Sequence, residues 1–228
     1  MIVVHHLADS RSQRILWLLE ELELDYEVKR CERDPKTYLA PAELKKLHPL
    51  GKAPILEDNG VVMAETGAII DYLLETYDRE YQLHPERGTA YGRQFSYWMH
   101  YAEGSAMSPL LLKLIFSQLP VRAPALVRPL VKSIAAKANN SFINPQLKTH
   151  FGFIENSLVG RWFVGNGFSA ADIMMSFPLE AAATRGLDLE KNPNIARFLR
   201  TIHARPAYQA ALQRGGNYAY AHAGDHTD

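Results

Sequence analysis

The chain has almost no cysteine. Cys31 stands alone, so no internal disulfide can form, and a reducing compartment suits the chain better than a secreted one. It also lacks net charge. The 25 lysines and arginines balance 25 aspartates and glutamates, which excludes a global field for gathering nucleic acid or an anionic membrane and leaves room only for a local basic patch. Long apolar runs are missing, because none approaches the roughly 18 residues of a membrane span. The opening Met1-Ile2-Val3-Val4-His5-His6 has neither the charged start nor the apolar stretch of a secretory signal. These absences lead to the expectation of a cytoplasmic protein with no nucleic-acid and no membrane partner. Nor do the 9 histidines suggest a metal. His5 and His6 are adjacent on a strand and point to opposite faces, while His222 and His226 share a tail with Asp225 and no second cluster.

What is present reads as two kinds of structure. Ile2 to Leu7 forms a first strand, followed by Ile15, Leu18, Leu19 and Leu22 at helical spacing, with Ser12 or Ser10 at the N-cap. Tyr26 to Cys31 alternates as a second strand, and Pro35 to His48 is a polar loop with at most one short helix. Ile55 to Glu57 and Val61 to Ala64 are strands joined by Asp58-Asn59-Gly60, a hairpin turn because Asn and Gly tolerate positive φ. Ile69, Ile70, Leu73 and Tyr77 give a closing helix its apolar stripe.

From about residue 89 strand signals stop, and Tyr81 to Gly88 is the expected linker. Phe95, Trp98, Met99 and Ala102 form one helical stripe, and Ile195, Phe198, Leu199 and Ile202 another, with Pro206 stopping or restarting it. Pro120, Pro124 and Pro129 are expected to divide a helix-rich stretch, and Gly215 to Asp228 to lie over the surface or stay disordered. The fold class is therefore an α/β domain over residues 1–80 and an all-α domain over 89–228.

Three short motifs carry the chemistry. Gly51-Lys52-Ala53-Pro54-Ile55-Leu56 turns into a strand at a proline, which has no N–H for a sheet ladder. A cis Ala53-Pro54 bond would turn the Ala53 backbone outward, where it could pair with an extended peptide. Ala64-Glu65-Thr66-Gly67 places a carboxylate and a hydroxyl at a helix start. Phe168-Ser169-Ala170-Ala171-Asp172-Ile173 has the hydroxyl and acid of a capping box, flanked by a hydrophobic staple.

Together these motifs resemble the glutathione transferase family, over roughly residues 1–212. The resemblance implies a thioredoxin-like domain with a cis-proline, followed by a helical domain holding the capping box. Thr66 stands where the family usually has Ser, and keeps the hydroxyl. In serine-type members such as the theta and delta classes, a Ser at the turn after the first strand donates to the sulfur of glutathione. Ser10 takes that place, with Ser12 as the alternative, and both could equally be helix caps without catalytic role. Arg11 occupies the position of the nucleophile in cysteine-type members.

Lowering a thiol pKa by two units requires about 2.7 kcal/mol of selective thiolate stabilisation. One hydrogen bond to a charged group supplies about 1.5–3 kcal/mol, and a helix N-terminus adds up to about 1. A serine hydroxyl at a helix start is thus sufficient. Glu65 and Thr66 would receive the γ-glutamyl end of glutathione, although a plain helix cap has the same residues. Lys52 could meet the glycyl carboxylate, with His48 nearby, and Ala53 and Pro54 would pair with the peptide backbone. Tyr101 and Glu103 are second-substrate or cross-interface candidates.

The resemblance implies a homodimeric transferase that uses glutathione as co-substrate, needs no metal, and joins its thiolate to a small hydrophobic electrophile. The alternatives are a nu-like glutathione-dependent disulfide or peroxide reductase and a non-catalytic glutathione-binding member. An apolar pocket leaves no code for the electrophile in one sequence.

Overall fold

The computed structural model describes residues 1–221 apart from 35, 36 and 38. The expected loop start at Pro35 and the His222, Asp225 and His226 group lie outside the described residues. The first seven elements are β1 (Ile2–Leu7), α1 (Gln13–Glu21), β2 (Tyr26–Cys31), α2 (Leu44–Leu47), β3 (Ile55–Asp58), β4 (Val61–Ala64) and α3 (Thr66–Tyr77). They build the thioredoxin-like sheet, ordered β2-β1-β3-β4, with β1 and β2 parallel and the other pairings antiparallel. The β3–β4 hairpin closes through Asn59 and Gly60 at φ +47° and +84°, the two positive values that a tight twisted turn demands. Register fixes which ends of the strands meet. His5 pairs with Ile55 and Ile55 with Ala64, so the loop leaving β1, the Ala53-Pro54 turn entering β3 and the start of α3 all lie at one end of the sheet.

The helical part follows as α4 (Ala90–Tyr101), α5 (Met107–Arg122), α6 (Arg128–Ala138), α7 (Asn144–Ser157), α8 (Ala170–Ala183), α9 (Pro193–His203) and α10 (Pro206–Gly215). π-Helical turns over Ala102–Ala106 and Asn139–Ile143 join α4 to α5 and α6 to α7. No described helix is long and apolar enough to cross a membrane. The expected stripes point inward, with Trp98, Met99, Ala102, Ile195, Phe198, Leu199 and Ile202 all buried. Helix α1 is the shared element. Its residues Gln13 to Leu19 are buried on every side, because it packs against α3, α8 and α10, and Trp17 meets Tyr208 edge-on at 5.1 Å. A helix buried all round is what a central position requires.

Two expectations need correction, and a third needs it in part. Pro120 does not divide the helical stretch, since it lies inside α5; the break falls at Pro124, whose carbonyl accepts the Val127 and Arg128 N–H groups. Pro129 sits at the start of α6, where a missing N–H costs nothing. Ser12 holds the N-cap position of α1 but makes no capping hydrogen bond there, and its backbone is already helical. The stretch after Gly215 runs over the surface at Asn217 and Ala219, as expected, but Tyr218 and Ala221 are buried and anchor it. Tyr218 donates its hydroxyl to Glu180 at 2.6 Å.

Candidate functional site

The loop between β1 and α1 carries two serines with different environments. Ser12 is fully buried. Its Oγ lies 2.9 Å from His6 Nδ1 and 3.1 Å from the Leu7 carbonyl, and accepts the Leu7 N–H at 3.2 Å. Burial pushes the His6 imidazole down to about 4, helped by the nearby Arg30 charge, so the ring is neutral at pH 7 and Nδ1 can accept. Ser10 retains 8% exposure, and its Oγ donates to the Leu7 carbonyl at 2.7 Å while lying 2.7 Å from the Ser12 hydroxyl. Of the two, Ser10 is the slightly more exposed, at 8% against 0% for Ser12.

The second contributor is the turn before β3. The Ala53-Pro54 bond is cis, with Pro54 buried, Ala53 half-buried and Lys52 exposed. Gly51, at φ +57°, has its Cα so near the Lys45 side chain that a Cβ would come within 2.6 Å of Cγ. His48 closes α2 and accepts the Leu50 N–H through Nδ1 at 3.4 Å. The third contributor is the start of α3. Glu65 takes φ +73°, ψ +119°, a sparsely populated conformation for a residue with a side chain and a mark of functional sites when the surroundings enforce it. No side chain caps α3, and Thr66 is buried beneath this turn.

Glu65 opens onto a cleft of about 940 Å³ between α3 and α4, lined further by Gly67, Met99, His100, Glu103 and Met174. Ser10, Lys52, Ala53, His48 and Tyr101 do not line it. Tyr101 instead packs toward α7, with its hydroxyl 2.6 Å from His150 Nδ1. Glu103, on the first π-helical turn, receives Arg11 Nε at 3.0 Å on each carboxylate oxygen and Arg14 at 2.5 Å. Burial acts to raise its pKa, but the two guanidiniums outweigh burial and hold the carboxyl below its ordinary range. Sequence reasoning missed this triad, whose one visible sign is Arg14 on a helix face otherwise occupied by Ile15, Leu18 and Leu19. Among the described residues no group of three or more His, Cys, Asp or Glu side chains could hold a metal ion.

Comparison with known proteins covers both parts of the chain. Residues 1–75 match the model of the glutathione S-transferase N-terminal domain, and residues 119–206 that of the C-terminal domain. Glutathione S-transferase 1 of Saccharomyces cerevisiae is 35% identical over 224 residues, covering 94% of this chain and 95% of its own. The crystal structure of a glutathione S-transferase from Actinobacillus pleuropneumoniae superposes with a TM-score of 0.82 at 37% identity, covering 97% of this chain and 96% of that one. A glutathione transferase homologue from Sulfitobacter, solved with bound glutathione, gives a TM-score of 0.74 at 21% identity, with 94% and 98% covered. This last likeness is one of fold.

Proposed function

The chain belongs to the glutathione S-transferase family, and from that premise we propose that it binds glutathione at the end of the sheet where the β1 loop, the Ala53-Pro54 turn and the start of α3 converge, and transfers the glutathione thiolate to small apolar electrophiles. The observation that carries the reading is Glu65: a positive-φ residue opening an uncapped twelve-residue helix beside a cleft. The free N–H groups of that helix start suit the γ-glutamyl carboxylate, with Glu65 facing the ammonium and Thr66 supplying a hydroxyl. Lys52 meets the glycyl carboxylate, and the Ala53 backbone pairs with the cysteinyl unit. Ser10 donates to the sulfur, so the protein acts by thiolate stabilisation and proximity without a covalent intermediate. Residues 1–80 form the glutathione-binding domain and 89–228 the electrophile domain, in a homodimer.

The test is calorimetry with glutathione together with a conjugation assay. Glu65→Ala and Thr66→Ala are expected to raise the glutathione concentration for half-saturation while changing the saturated rate little, because they touch the end of the ligand remote from sulfur. Unchanged binding in both variants would remove the helix start from the site. Thiol–disulfide exchange without conjugation would transfer the reading to the reductase alternative, and binding without turnover to a non-catalytic one.

A further inference from the structure

We infer that the hairpin of α5 and α6 docks on an anionic lipid bilayer. Leu111, Ile115 and Leu119 stand four residues apart on α5 and are 50%, 45% and 43% exposed. From the connecting loop into α6 the spacing repeats in Leu126, Leu130 and Ile134, at 94%, 64% and 57%. Single exposed aliphatics are ordinary, but a row on each of two helices that pack against each other gives more exposed apolar surface than scattered side chains do, of the kind that marks an interaction site.

The charge around the rows says what covers them. From Gly104 to Ile154 the sequence contains no aspartate or glutamate, while Lys113, Arg122, Arg128, Lys132, Lys137 and Lys148 all fall within it. All of these except Lys113 are exposed. The zero net charge of the chain thus conceals a segregated distribution, with the balancing acids elsewhere. Cations interleaved in sequence with exposed aliphatics, in a stretch that has no carboxylate, are what an interfacial helix presents to acyl chains and anionic headgroups. A second copy of the chain fits less well, because a two-fold contact would set the same cations against each other. Nucleic acid would use the cations but gain little from aliphatic rows, since bases stack on aromatic side chains. The expectation of no membrane partner rested on the zero net charge and the lack of a spanning apolar run, neither of which bears on a local patch of this kind. The inference does not depend on the glutathione reading.

The experiment is co-sedimentation of the full chain with phosphatidylcholine vesicles, with and without phosphatidylserine, at low and high salt. Binding is expected with phosphatidylserine, weakened about tenfold or more by high salt or its omission. The Leu126→Asp/Leu130→Asp variant should lose about tenfold or more in vesicle binding while keeping its melting temperature and its size by light scattering. Four results would overturn the inference: no association with either vesicle, undiminished binding by the double variant, a change of oligomeric state in that variant, which would assign the rows to a second copy, or binding to single-stranded DNA in place of vesicles.

Discussion

Arg11 and Glu103 are 92 residues apart in sequence, yet Arg11 Nε lies 3.0 Å from both oxygens of the Glu103 carboxylate. Arg14 takes the same carboxylate from the buried side at 2.5 Å. One acid on the π-helical turn therefore ties the β1 loop to the helical part and lines the cleft at the same time. π-Helical turns inside helices recur at functional sites.

The two arginines should respond unequally to mutation. Arg14 is 1% exposed and its Nε has no partner among the described residues, so Glu103→Gln leaves a buried charge without its counter-ion. A loss of about 3–5 kcal/mol is expected, seen as a fall in melting temperature on the order of ten degrees. Arg11 is partly solvated, and Arg11→Ala should cost about 1 kcal/mol or less. Equal effects in thermal denaturation would contradict the assignment of the strong pair to Arg14.

The serines separate chemistry from stability. Ser10→Ala is expected to lower conjugation by about one to three orders of magnitude, with much smaller change in glutathione affinity, because the lost hydrogen bond acts on the thiolate. Ser12→Ala leaves the buried Leu7 N–H without the acceptor it has at 3.2 Å and should reduce stability by about 1–3 kcal/mol while sparing the rate. If Ser12→Ala is the variant that slows turnover in a folded protein, the roles are reversed.

Asp172 closes the capping box as a structural residue. Its Oδ2 accepts the Ser169 N–H at 2.8 Å and its Oδ1 the Phe163 N–H at 3.0 Å, so Asp172→Ala orphans two buried donors, the first of which is the cap itself. A loss of about 2–5 kcal/mol is expected, measured by chemical denaturation. A variant of normal stability without activity would show a catalytic role.

Stability should depend on pH through two groups of opposite sign. The folded chain holds the His6 pKa at about 4 by burial, below its ordinary 6.5. Between those values the unfolded chain binds a proton that the folded one refuses, so stability is lost as pH falls, by about 2–3 kcal/mol at pH 4.5. Burial pushes Asp172 from 3.8 up to about 7 against the pull of its hydrogen bonds. The folded state then carries the extra proton, and that contribution is lost as pH rises through 7. His6→Asn should therefore become more stable relative to the parent at pH 4.5 than at pH 7 in urea titrations, and a parallel profile would argue against a neutral buried His6.

The sequence by itself determined the elements whose signals are local. Alternation and helical spacing mark β1, α1, β2 and α3, Asn59-Gly60 marks the hairpin, and Ser169 to Asp172 the capping box, because each depends on backbone preferences and hydrogen bonds within a few residues. The Ala53-Pro54 turn and the Glu65-Thr66 helix start were legible for the same reason. Only the tertiary structure decided what depends on partners far along the chain. It buried Ser12 against His6 and left Ser10 slightly more exposed, and it joined Arg11 and Arg14 to Glu103. It also drew Tyr218 inward, because the Glu180 carboxylate, 1% exposed, takes hydrogen bonds from Tyr218 and Tyr208 and lies against His203. A buried polar group must be matched by hydrogen-bond partners wherever the fold can bring them, and no local pattern encodes which distant side chains those are.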